Sequence, residues 1–403
     1  MNAAPIFLAF AFLLSRICLV LAVPYKPASD DVVIEKLPRS VLDARSYQAA
    51  RSKLHSNPTN LSVALPLARG YLEIAQRTSD PAFVDYAEGV IQPLVAQGLA
   101  SPEIFYLRGV LRQHKHDFAN ALADLDRVLA SEPSHFGALL GKASILMTQG
   151  RYKEAKKIFL GNLPLTRNLG GLTVFCTLAS MNGSLETSYG LLFGQAAVAH
   201  NVSPEEQAFA WTALGEMGVR QGKLELAEAH FKKALALQPD SSYSLATYCD
   251  LLLSLGRAGE VLNRIEENTP SEALLLRRIL ARKENGDPDV VDQAIRAARI
   301  FHQSGHLREL AFLQLEVLEQ RQEALEAALR NWEAQKEPID ALIALKAAAA
   351  GRNPASVQSI LDWVRESKLE DVRLDAVAAR LANPHCSANR EMNNFCVRRP
   401  PSR

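Results

Sequence analysis

Histidine and cysteine are the side chains best suited to hold a metal or a reactive group, and this sequence clusters them in three places. The densest is His114-Lys115-His116-Asp117. Zinc ligands come in paired short spacings or one helical turn apart, whereas these are near neighbours, so the stretch reads as a solvated loop. His302 and His306 have the i, i+4 spacing, but Gly305 between them marks a helix end. Cys386 and Cys396 stand ten apart in a polar tail with no helical periodicity. That spacing suits a disulfide, which would close a short loop and add about 2–3 kcal/mol. Metal binding by His385, Cys386 and Cys396 is the rival, though it lacks a second CxxC or histidine pair. Cys176 and Cys249 fall in apolar helical runs and read as small core residues.

Motifs for other chemistry are broken or lacking in the sequence. Gly137 to Ala143 approaches a phosphate loop, but it is one residue short and ends in alanine where serine or threonine is needed. It also falls inside a predicted helix, where backbone N–H groups are already bonded. There is no H-E-x-x-H and no G-x-S-x-G. Carboxylate pairs such as Glu225 and Glu228 read as ordinary solvated helix faces. No catalytic residue, cofactor or metal is therefore expected. Lys plus Arg is 45 and Asp plus Glu is 44, a balance that argues against a nucleic-acid binder.

The elements that carry these residues repeat. Small or apolar residues recur at Ala87, Ala121, Ala155, Ser188, Ala227, Val261, Ala294, Ala324 and Val357, with intervals of 34, 34, 33, 39, 34, 33, 30 and 33. Turn signals precede them, including Gln149-Gly150-Arg151, Asn182-Gly183-Ser184 and Gln221-Gly222-Lys223. Pro133, Pro239 and Pro270 close units, since proline cannot continue a helix. The pattern predicts antiparallel helix pairs that bury their shared faces only by leaning on the next pair. No stretch has the alternating pattern of a sheet.

The clearest unit is Ala208 to Asp240, with Trp211, Leu214, Gly215, Ala227, Phe231, Ala234 and Pro239 at fixed spacing. It resembles the tetratricopeptide repeat (TPR) signature W-x2-L-G-x2-Y…A-x3-F…P, with Gly218 where tyrosine is usual. The resemblance is strong for 102–135 and 208–240, moderate for 136–169 and 242–270, and weak elsewhere. It implies an all-α fold, an α-solenoid of stacked antiparallel helix pairs in a TPR-like superhelix. The chain divides accordingly into 1–23, a leading segment 24–59, an array 60–270, degenerate helical repeats 271–380 and a tail 381–403. Trp332 reads as packing between the late units.

The family usually binds protein or peptide partners in the concave groove lined by the first helix of each unit. The matching groove positions here are Tyr106, Val110, Leu140, Ser144, Thr212 and Glu216. None is lysine or asparagine, so the carboxylate clamp of some members is absent, and a cytosolic chaperone adaptor is not expected. Pro5 to Val23 is almost wholly apolar, broken by Ser15 and Arg16. It reads as a cleaved signal peptide or a single membrane anchor, and either places residues 24–403 outside the cytoplasm. The expected function is a protein-interaction scaffold, periplasmic, secreted or anchored facing outward, with no nucleic acid and with membrane contact only through residues 5–23. The alternative is an enzyme or enzyme subunit with a site near residues 271–380.

Overall fold

Two helix backbones can approach closely only where a side chain is small, so the recurring small residues should be the points where each pair closes. The computed structural model, which describes residues 45–382, puts every one of them in the core. Ala87, Ala121, Ala155, Ala227, Val261, Ala294, Ala324 and Val357 are wholly buried, and Ser188 is 4% exposed. All helices and turns among the described residues lack a strand partner, and the fold is all-α. Residues 1–23, most of segment 24–59 and the Cys386–Cys396 pair lie outside the described residues.

The first helix, α1 (Arg45–Ser56), has no buried residue. From Lys53 the chain forms one unit of successive helix pairs. These are α2 and α3 (Leu61–Thr78, Pro81–Ala96), α4 and α5 (Pro102–His114, Phe118–Ser131), α6 and α7 (Phe136–Thr148, Tyr152–Gly161), and α8 and α9 (Leu169–Ser180, Leu185–Val198). Then follow α10 and α11 (Pro204–Arg220, Leu224–Leu237), α12 and a short α13 (Ser242–Ser254, Ala258–Leu262), and α14 and α15 (Glu272–Glu284, Val290–Ser304). The last are α16 and α17 (Leu307–Glu316, Arg321–Ala334), α18 and α19 (Pro338–Ala350, Gln358–Ser367), and a closing α20 (Val372–Ala382).

The local sequence explains where the helices begin and end. Ser101, Ser203, Ser241 and Ser271 each cap a first helix, accepting from a backbone N–H in its first turn. Within every pair the connection passes through one residue in the left-handed region: Ser79, His116, Gly150, Gly183, Gly222, Gly256, Gly286, Glu319 and Arg352. At Gly222 the bonds Gly222 N–H to Val219 and Lys223 N–H to Gly218 finish α10 in the manner of a Schellman stop. The same turn recurs past Pro270, where the consensus fades, because the stop needs backbone geometry more than particular side chains.

Packing of α10 on α11 shows why the signature residues have their types. Trp211, Leu214, Ala227, Phe231 and Ala234 are all at most 3% exposed, while Pro239 sits outside at the unit's end. A Cβ on Gly215 would lie 2.5 Å from the Phe231 ring. At Gly218, where tyrosine is usual, an added Cβ would lie 3.2 Å from that of Ala227, so the close approach of the helices excludes a large residue. Cys176 and Cys249 are buried, and burial pushes their thiols up to about 11 and about 12. Trp332 packs edge-on against Trp363 with ring centroids 5.0 Å apart, between the late pairs.

Neighbour contacts are not the whole of the packing. The intra-pair turns of the early units dock on much later ones. Ser242 Oγ donates to the Thr78 carbonyl at 2.6 Å, and Arg77 pairs with Asp240. Lys336 N–H donates to the Thr148 carbonyl at 2.6 Å. Leu185 N–H donates to Glu370 at 3.1 Å, across 185 positions of sequence. The superhelix is thus tight enough for one turn of it to touch the next.

Candidate binding surface on the first helices

First helices of successive pairs lie side by side, α8 on α10, α10 on α12 and so on to α20, and their polar residues decide what that shared face can hold. Charged residues from α10 to α20 converge there. Glu216 and Arg220 come from α10, Tyr243 and Asp250 from α12, Arg277 from α14 and Arg308 from α16. Glu337 and Asp340 come from the start of α18, and Asp371 and Arg373 from the start of α20. Some of them lie close enough to feel one another's charge: Glu216 feels Glu337, Arg220 and Arg373, and Arg373 feels Asp250 and Glu216.

Most of the cations are matched by two-point contacts to a carboxylate. Arg277 reaches Asp250 at 2.8 and 2.7 Å. Arg308 reaches Asp340 at 2.6 and 2.9 Å and Glu337 at 2.5 Å, and Asn331 also donates to Asp340. Arg373 holds Asp371 at 2.9 and 2.6 Å. Such forks fix the planar guanidinium against the planar carboxylate and so rigidify the wall. Removing Asp250 or Asp371 costs about 3–5 kcal/mol, since the Arg277 or Arg373 guanidinium is left largely buried without its carboxylate.

Tyr243 and Glu216 differ from these. The Tyr243 phenol donates to Glu216 at 2.5 Å. Tyr243 keeps 51% of its surface exposed, so this is a wet position. Yet protein surrounds it, and burial together with the Glu216 charge raises its phenol well above the usual range. Burial pushes the Glu216 carboxyl up to about 7, with Glu337 adding to the effect and the Tyr243 bond opposing it. Arg220 is 5% exposed, and burial holds its guanidinium below the ordinary value.

Of the groove positions read from the sequence, Tyr106 and Val110 on α4 and Leu140 and Ser144 on α6 are half-buried. The Tyr106 ring packs on His135 with centroids 4.9 Å apart. Thr212 must be corrected: it is wholly buried, donates to the Ala208 carbonyl at 2.8 Å and bonds Ser244, so it presents nothing to a partner. Glu216 is the one of the six that belongs to the charged interior. Arg220, Tyr243, Arg277, Arg308 and Arg373 were missed. One repeat on from Glu216 is Asp250, but Arg277 and Arg308 do not keep that interval, so spacing alone did not mark them.

The histidines are rearranged by the winding. His116 lies in the α4–α5 turn and His306 at the start of α16, and their rings meet at 5.6 Å between centroids. Gln335 donates its amide to His116 Nδ1 at 3.0 Å, which requires that nitrogen to be unprotonated. His306 Nδ1 bonds Glu272 at 2.5 Å. His302 stays apart beyond Gly305, the left-handed stop of α15. Among the described residues no group of three His, Cys, Asp or Glu could hold a metal ion.

Two stretches match family models described as tetratricopeptide repeat: residues 114–161, spanning α5 to α7, and residues 192–242, spanning α10 and α11. Each ends at or near the close of a second helix. Repeats of this kind are generally protein–protein interaction modules. No curated protein matches the chain.

Proposed function

We propose that this chain is a scaffold that holds a protein partner on the concave face of its helix-pair array, and that it binds rather than catalyses. The observation that carries this reading is Tyr243. A large aromatic side chain stands half-exposed on a first helix, anchored through its phenol to Glu216, on the inner face of the array. Tyrosine in such a setting offers a rigid apolar surface with a fixed polar tip, the kind of side chain that concentrates binding energy at interfaces. The walls beside it are fixed by the Asp250–Arg277, Asp340–Arg308 and Asp371–Arg373 forks, so little order has to be created on binding.

The partner belongs, in this reading, to the cell envelope or secretory space. The apolar run Pro5–Val23 supports that placement. Among the described residues no helix is long and apolar enough to cross a membrane. Amino-terminal sequencing of the protein recovered from fractionated cells distinguishes a cut near Pro24 from a retained anchor. Recovery of full-length chain in the cytosolic fraction would remove this part of the reading.

Affinity capture with the full chain tests the binding itself. Wild type should retain a partner that Tyr243→Ala loses. Equal retention by both would place binding elsewhere.

A further inference from the structure

The cations of the inner face meet carboxylates, with Arg220 as the exception. We propose that Arg220 forms a carboxylate-binding subsite for an acidic segment of the partner, an inference that rests on the concave-face reading above.

Arg220 is the last residue of α10 and is 5% exposed. Its Nη2 donates to the Ser180 carbonyl at 2.6 Å. Ser180 ends α8, so that carbonyl carries the partial negative charge of a helix C-terminus. Among the described residues no other acceptor meets the guanidinium. Its Nε is buried without a partner. Among the described residues its Nη1 has no hydrogen-bond partner either. A guanidinium has five N–H donors, and here one acceptor meets them.

The nearby acids are committed elsewhere. Asp371 accepts from the Arg373 backbone N–H at 2.9 Å and from both arms of its guanidinium. Glu216, one helical turn before Arg220, accepts from Tyr243. Asp371 is thus bonded by Arg373, while Arg220 feels its charge without a hydrogen bond to it. A buried cation with free donors is completed by an anion that can accept two of them, which is what a carboxylate does. An aspartate or glutamate side chain in an extended segment supplies such an anion.

The test uses the full chain and fluorescence anisotropy at fixed ionic strength. The probe is a short fluorescein-labelled peptide of alternating glutamate and alanine, acetylated and amidated at its ends, with a glutamine counterpart as control. Wild type should bind the glutamate peptide about tenfold or more tighter than the glutamine one. Arg220→Met should abolish that preference, and Arg220→Lys should keep part of it. Arg69→Met, which removes an exposed cation on α2, should leave it unchanged. Melting curves by circular dichroism show whether each variant is folded, and Arg220→Lys carries the test if Arg220→Met is not. Equal binding of the two peptides by wild type, an undiminished preference in a folded Arg220→Met, or no binding of either peptide overturns the subsite. If a partner captured by wild type is lost by Tyr243→Ala but kept by Arg220→Met, the subsite falls and the concave-face reading stands. If Tyr243→Ala keeps that partner while Arg220→Met abolishes the peptide preference, the reverse holds.

Discussion

The Tyr152 phenol donates to the Lys336 carbonyl at 3.3 Å, joining two residues 184 positions apart. Trp363 leans on the same tyrosine, with ring centroids 5.6 Å apart. Neighbour packing alone would leave the α6–α7 turn facing water, but here it is covered by the units that follow one superhelical turn later. This contact should be separable from the repeat core. Tyr152→Phe removes one hydrogen bond, worth about 1 kcal/mol. In Tyr152→Phe combined with Trp363→Ala, amide exchange should rise in residues 148–152 and 335–337 while the helical circular dichroism signal is kept. Unchanged exchange in both segments would mean that the contact contributes nothing to holding the turns together.

Glycine is required at two positions for different reasons. At Gly215 an added methyl meets the buried Phe231 ring, so Gly215→Ala should lower stability by about 1–3 kcal/mol through overpacking. At Gly150 the cause is the left-handed backbone, φ 70°, with the Lys336 and Trp363 side chains close by. Gly150→Ala should cost about 1–2 kcal/mol. Gly286 has the same backbone sign with open space around it, so Gly286→Ala should show the conformational cost without the crowding. Urea denaturation of the three variants checks the order, with Gly286→Ala the mildest.

The paired histidines should titrate in opposite directions. The surrounding protein, with His306 and Arg308 adding positive charge, pushes His116 down to about 4. Its hydrogen bond to Glu272 raises His306 above the ordinary histidine value. A histidine lowered by folding contributes stability that is complete above the ordinary value near 6.5 and is lost as pH falls toward 4. A raised one contributes stability that is complete below 6.5 and is lost as pH rises through its folded value. Proton NMR of the two imidazoles checks the pair directly. His116→Asn should flatten the loss of stability between pH 6.5 and 4 that wild type shows in melting experiments.

Glu216 gives the concave face its own pH dependence. Its carboxyl, pushed up to about 7, is protonated at mildly acid pH and ionised above neutrality. Ionisation places a negative charge one helical turn from Arg220 and lets it compete for that cation. Binding of an acidic peptide should therefore weaken as pH rises through about 7, and Glu216→Gln should remove the dependence. Stability should follow the same sign. A raised carboxyl contributes stability below its unfolded value, which is lost as pH rises through the folded one. Anisotropy titrations between pH 6 and 8 on wild type and Glu216→Gln measure the first effect.

The pairs were legible in the sequence because their cause is local. Ala121 or Ala227 must be small where backbones meet, and Gly150 or Gly222 must allow a left-handed turn, so both types recur at the length of one pair. The same regularity carries past Pro270, where Ala294, Ala324 and Val357 are as buried as the earlier members of the series. The charged interior was not legible. Which first-helix residues face one another depends on how tightly the array winds, and that is set by contacts such as Tyr152–Lys336 and Ser242–Thr78 over more than 160 positions. Thr212 shows the same limit from the other side. Its place in the repeat suggests a groove residue, but the approach of Ser244 from the next pair covers it.

The proposed function holds a partner on the concave face at Tyr243. The most direct measurement replaces Tyr243 with the photocrosslinking residue p-benzoylphenylalanine and, in a parallel protein, does the same at Leu160, which is 62% exposed on the second helix α7. After irradiation in intact cells, the substitution at Tyr243 should give a discrete higher-mass adduct containing one partner, and the substitution at Leu160 should give none. Adducts at Leu160 and none at Tyr243 would contradict the account.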